Sequence, residues 1–209
     1  MHVWSDKISD DDVIVGVLDT GIWPESLSFN DSSMRPVPSH WKGTCDTGPD
    51  FTKQHCNRKI VGARVFYCGY EAASGKINDK EQHKLPRDQD GHGTHTAATV
   101  AGAPVHGANL LGYAYGTARG MATGARITAY KVCWVGECFS SDILSAVDRA
   151  VADGIDVLSI SLVTNVGPPV LSYYVVVSPF EDAVVKVEPA RLNLNSKTKK
   201  LSYKITFIM

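Results

Sequence analysis

The clearest pattern in this chain is the run at 12–18, DVIVGVL, unbroken apolar and largely β-branched after Asp12 and ending at Asp19. A run without alternation predicts a strand buried on both faces of a parallel sheet. Two further segments read as strands: GARITAYKVC at 124–133, and IDVLSISL at 155–162 as another buried one. Between them, residues 141–153 repeat with helical period. Ile143, Leu144, Val147, Ala150 and Val151 fall on one face, and Asp142, Asp148, Arg149 and Asp153 are expected to turn outward. Ser141 is the expected N-cap and Gly154 the stop. Strand, helix, strand in that order implies a right-handed parallel crossover, and so an α/β fold built on a parallel sheet with helices. Asp19 then sits at the carboxyl edge of its strand, where ligands bind in open α/β sheets.

Elsewhere the pattern is less regular. Residues 23–85 carry Pro24, Pro36, Pro38 and Pro49 among many polar residues, which predicts an irregular excursion with one short strand near 59–66. Long excursions of this kind usually carry function. The small-residue run THTAATVAG at 94–102 predicts a helix able to approach other backbone closely, with His92 at or near its N-terminus. After residue 162 the character changes. Short strands are predicted at 173–177, 184–187 and 201–207, separated by Pro168, Pro169, Pro179 and Pro189, with no helix. Two units follow, 1–162 as α/β and 163–209 as all-β.

Charge supports that division. Residues 163–209 hold six Lys/Arg against three Asp/Glu, leaving 15 against 19 for the rest of a chain of net charge -1. Such a balance gives no reason to expect nucleic acid or an anionic membrane as partner. No apolar run approaches the roughly 20 residues that cross a bilayer, and the opening MHVWSDKISDDDV lacks a signal-peptide pattern. Cysteines at 45, 56, 68, 133 and 138 are spaced as two short loops, Cys45 with Cys56 and Cys133 with Cys138, leaving Cys68 over. Disulfides suiting an oxidising compartment and five reduced thiols both fit that spacing. No CxxC pair suggests zinc. Asn30-Asp31-Ser32 is a glycosylation acceptor pattern, relevant only to a secreted chain.

The candidate chemistry lies in DTGIWPES, which contains Asp19, and DGHGTHTA, which contains His92. Taken alone, Asp19 before Thr-Gly reads as a turn cap. DTG also occurs in aspartic proteases, which need two such carboxylates in an all-β fold. His92 and His95 at HxxH, with Asp88 and Asp90 nearby, also fit a metal site. Together, and alongside WKGTC, CNRKIVGAR and YKVCW, the two segments resemble the plant branch of the subtilisin-like serine proteases, the subtilases. That resemblance implies a subtilisin-like parallel sheet. It also implies a buried carboxylate at Asp19 that orients His92 as general base, with no cofactor and no metal. Ser161 and Leu162 match the edge strand that pairs with substrate backbone, although the family continues with Gly where this chain has Val163. Residues 163–209 resemble the middle of the fibronectin-III-like domain that ends plant subtilases, through TNVGPP, VSPF, VKVEP and LSYKITF.

The departure from the family is as large as the match. Its nucleophile run, Gly-Thr-Ser-Met-Ala, is nowhere in these 209 residues, and no GxSxG elbow replaces it. The segment expected to hold the oxyanion Asn is missing at the 162/163 junction. The expectation is therefore an inactive relative of a secreted, extracellular endopeptidase acting on peptide or protein substrates. The alternatives are a non-catalytic peptide-binding fragment and a splice or gene-model product without a stable fold. A sheet stopped midway is further expected to expose an apolar edge and both faces to water.

Overall fold

The computed structural model describes residues 13–78, 82–135 and 137–162, together with the short strands 187–188 and 204–205. Four strands, β1 (Ile14–Asp19), β2 (Ile60–Val65), β5 (Arg126–Lys131) and β8 (Val157–Ile160), form one all-parallel sheet in the order β2-β5-β1-β8. Every residue of β1 and β5 is buried. For β1 this matches its apolar run, because a central strand of a covered parallel sheet has no solvent face to alternate toward; in β5 the buried Arg126 and Lys131 side chains donate to the Arg58 and Arg87 carbonyls instead. β5 and β8, at 6 and 4 residues, are each four residues shorter than the segments 124–133 and 155–162 that predict them.

Two helices cover the sheet. On one face, α2 (His92–Ala101) packs Ala97 and Ala101 with Val15, Val17, Ile60, Ile127 and Ala129. On the other, α3 (Ser140–Asp153) packs Ala146 and Ala150 with Leu18, Tyr130, Leu158 and Ile160. The expectation that both faces lie open to water is thus corrected: each is closed by its own helix. The open edge remains, since among the described residues β8 pairs only with β1.

Helix α3 also departs from its expected orientation. Leu144 and Val151 are 64% and 59% exposed, whereas Asp142 and Asp153 are buried. The helix begins at Ser140, so Ser141 is not its cap. Asp142 instead accepts the Gly69 and Tyr70 amides at 2.8 and 2.9 Å, at the start of a short helix, α1 (Cys68–Ser74), which the sequence pattern did not predict. Asp153 takes the Arg64 guanidinium in a two-pronged pair at 2.6 and 2.8 Å and accepts the Tyr130 hydroxyl at 3.1 Å. These partners compensate the burial of both carboxylates. Gly154 ends α3 in the left-handed conformation, as expected.

Two hairpins were also absent from the sequence prediction. Strands β3 (Val105–Leu110) and β4 (Tyr113–Ala118) form one, and β6 (Cys133–Trp134) with β7 (Glu137–Cys138) form the other. The second is closed by the Cys133–Cys138 disulfide, and Cys45–Cys56 closes a loop in the 23–85 excursion. Cys68 is free and exposed. In the C-terminal stretch, β9 (Val187–Glu188) and β10 (Lys204–Ile205) pair antiparallel. The remainder of the predicted all-β, fibronectin-III-like unit lies outside the described residues. Among the described residues, no helix is long and apolar enough to cross a membrane.

Candidate active site

Strand β1 delivers Asp19 to the carboxyl end of the sheet, and α2 begins at His92 directly over it. Close approach of two backbones makes this possible. Gly21, at φ 122°, turns the chain after β1, and a Cβ on Gly93 would lie 2.3 Å from the Gly21 carbonyl oxygen. No side chain fits there, so the glycines in DTG and HGT are steric requirements of the junction.

At this junction His92 Nδ1 meets Asp19 Oδ1 at 2.7 Å. Asp19 is 1% exposed and the His92 side chain 46%. Two other donors hold the carboxylate: the Thr20 amide on Oδ1 at 2.8 Å, and the Thr96 hydroxyl on Oδ2 at 3.0 Å. Because the carboxylate only accepts, the ring proton belongs on Nδ1, and Nε2 keeps its lone pair. The hydrogen bond to Asp19 raises the His92 pKa above its ordinary 6.5. Burial opposes the shift, and the charges of Asp19, Asp90 and Asp88 reinforce it. A buried acceptor, an oriented imidazole and a half-exposed basic nitrogen form an arrangement that can take a proton from a group brought to Nε2.

The raised value has a consequence for stability. Between pH 6.5 and the higher folded pKa, the folded state binds more protons than the unfolded one, so stability falls as pH rises through that window. Replacing Asp19 with Asn is expected to flatten this slope and lower the His92 titration toward 6.5. Urea midpoints measured from about pH 5 to about pH 9 check the first effect, and histidine NMR titration checks the second.

The remaining sequence candidates fall close by. Ile160 is paired with Leu18, so Ser161 and Leu162 leave β8 at the same end of the sheet as Asp19, both half-buried. His95 lines a 470 Å³ cavity with Trp23, Gln89, Asp90 and Ala98, away from the Asp19 contact. Among the described residues, no three His, Cys, Asp or Glu side chains converge as metal ligands. Thr96 was not singled out from sequence, although its place four residues after His92 puts both side chains on one helix face. In the sequence pattern Asp88 stands only as a neighbour of a candidate metal site at His92 and His95. It is instead buried and hydrogen-bonded on both oxygens.

Comparison with known proteins identifies the lineage. A profile described as "Subtilase family" matches residues 10–196. The chain belongs to the subtilase family. Over 161 residues it is 73% identical to "Subtilisin-like protease SBT1.3" of Arabidopsis thaliana, covering 77% of this chain and 21% of that protein. It is 60% identical over 151 residues to "Subtilisin-like protease SBT1.7" of the same plant, covering 72% and 20%. The chain therefore spans about a fifth of the length of these curated relatives. Among solved structures, the "Structure of the Clostridium Perfringens CspB protease" aligns at TM-score 0.43 and 19% identity, over 78% of this subtilase and 31% of that chain. The α/β fold of this subtilase rests on its own strand order and on the family match, not on that superposition.

Proposed function

We propose that this chain carries the acid–base half of a subtilisin-type serine endopeptidase site and, as these 209 residues, does not hydrolyse peptides by acyl transfer. Asp19 orients His92 and stabilises its protonated form, and His92 Nε2 is the general base. One observation supports this reading above the rest: a fully buried carboxylate 2.7 Å from the Nδ1 of a half-exposed imidazole. The serine that such a base would deprotonate is absent, because no Gly-Thr-Ser-Met-Ala run occurs in the sequence. In this reading residues 1–162 are the first part of the catalytic domain and 163–209 part of a fibronectin-III-like domain. The compartment is extracellular, which suits the two disulfides. A fluorophosphonate probe is expected to leave the purified chain unlabelled. Covalent labelling that blocks cleavage would overturn the reading.

A second reading, peptide binding without hydrolysis, is favoured by the edge of β8 that is unpaired among the described residues and leads into Ser161 and Leu162. An unpaired strand edge offers backbone donors and acceptors to an extended peptide. Calorimetric titration of the folded chain with extended peptides is expected to give saturable heat. A flat titration excludes this reading.

A further inference from the structure

The Asp19–His92 contact joins two segments 73 residues apart in sequence, and something must hold them in register. Asp88 lies between them, 2% exposed. Its Oδ1 accepts the Thr20 hydroxyl at 2.9 Å, the Gly91 amide at 2.9 Å and the Asp90 amide at 3.1 Å. Its Oδ2 accepts the Thr94 amide at 2.8 Å and the Thr94 hydroxyl at 2.5 Å. The two threonines extend the network. Thr20 Oγ1 in turn accepts the Gly93 amide at 2.8 Å, and Thr94 Oγ1 accepts the Trp23 amide at 3.0 Å. Backbone bonds from Ile22 to Pro86 and from Asp88 to Ile22, at 2.9 and 3.0 Å, anchor the carboxylate's own segment to the same turn. The residue after Asp19 and the residues on either side of His92 are thus tied to one buried carboxylate. Burial alone would raise its pKa, but the hydrogen bonds from Thr94, Gly91 and Thr20 together outweigh it and hold the carboxyl below its ordinary value.

We propose that Asp88 is the positioning residue of the pair: its carboxylate fixes the start of α2 against the turn after β1, so that His92 Nδ1 meets Asp19 at hydrogen-bonding distance. Asp88 makes no hydrogen bond to the His92 ring and acts through Thr20, Thr94 and the amides at 91 and 93. This inference rests on the acid–base reading of Asp19 and His92.

Charge and position are separable, which makes the test decisive. Asp88 also faces His92 electrostatically, together with Asp19 and Asp90, so Asp88→Asn alters both field and geometry. Thr20→Val removes the hydroxyl linking Asp88 to the Gly93 amide without changing any charge. In ¹⁵N-labelled full chain, long-range ¹H–¹⁵N spectra read the tautomer and titration of each of the seven histidines, with His92 assigned by its loss in His92→Gln. The native chain is expected to hold His92 in the Nδ1–H form. Thr20→Val and Asp88→Asn are each expected to give a tautomer mixture titrating near 6.5, and Thr20→Ser to restore the native pattern. A merely structural role would not discriminate in this way, so Asp153→Asn, which loosens a distant network, serves as control and is expected to leave His92 unchanged. If Thr20→Val keeps the native tautomer and titration, or if Asp153→Asn shifts them equally, the positioning role is overturned. If Asp19→Asn itself leaves His92 unmoved, the acid–base reading fails instead.

Discussion

A fluorogenic peptide is expected to be cleaved by this chain at least about 10⁶-fold more slowly than by a serine-bearing subtilase under the same conditions. In subtilisin, of the same wider family, loss of the serine alone costs about 2 × 10⁶ in turnover, and the rate that survives comes from the oxyanion hole and substrate binding. The present chain lacks the nucleophile run, and the family resemblance assigns the oxyanion Asn to the same missing stretch. On the proposed reading what remains is His92, its pKa raised by Asp19, as a base offered no alcohol. The 10⁶-fold figure is therefore a lower bound on the loss. A purified sample that gives a burst of product equal to its concentration, followed by steady turnover, would contradict it, because a burst reports an acyl-enzyme.

Asp153→Ala is expected to cost about 3 to 5 kcal/mol of stability. The Arg64 guanidinium and the Asp153 carboxylate have side chains only 17% and 3% exposed. Burial alone would lower the Arg64 pKa, and the hydrogen bonds and charge of Asp153 more than reverse that. Removing the carboxylate strands a charge between β2, β5 and α3 and also deprives the Tyr130 hydroxyl of its acceptor. For a chain of this size the loss corresponds to a fall of roughly 6 to 20 °C in Tm. Replacing both partners together, as in Arg64→Met with Asp153→Leu, is expected to cost less than Asp153→Ala alone, since no charge is left uncompensated. Thermal melts of the two variants beside the native chain decide the matter. Equal losses in the single and double variants would mean that packing, not charge, dominates at this position.

The network around Asp153 also explains where sequence reading went astray. Periodicity assigned Asp142 and Asp153 to water because carboxylates are costly to bury. Their partners, the Gly69 and Tyr70 amides and the Arg64 and Tyr130 side chains, lie 23 to 89 residues away, beyond any local window. The β3–β4 hairpin escaped notice for a different reason. Its residues are exposed or half-exposed, so no buried face imposes alternation. The small-residue helix after His92 was legible from its Ala- and Thr-rich composition, and in the fold Ala97 and Ala101, four apart, meet the sheet.

The α/β class of residues 13–162, the order of the parallel strands' runs, and the candidacy of Asp19 and His92 were determined by sequence alone. Continuous apolar runs and paired glycines leave few other ways to satisfy the backbone and exclude water. Only the tertiary structure decided that the two side chains meet, that Thr96 and the Thr20 amide share the carboxylate, and that Asp88 ties both segments together. Those are contacts between residues up to 77 positions apart, formed when packing of α2 against β1 brings their loops together. Local propensity carries no record of them.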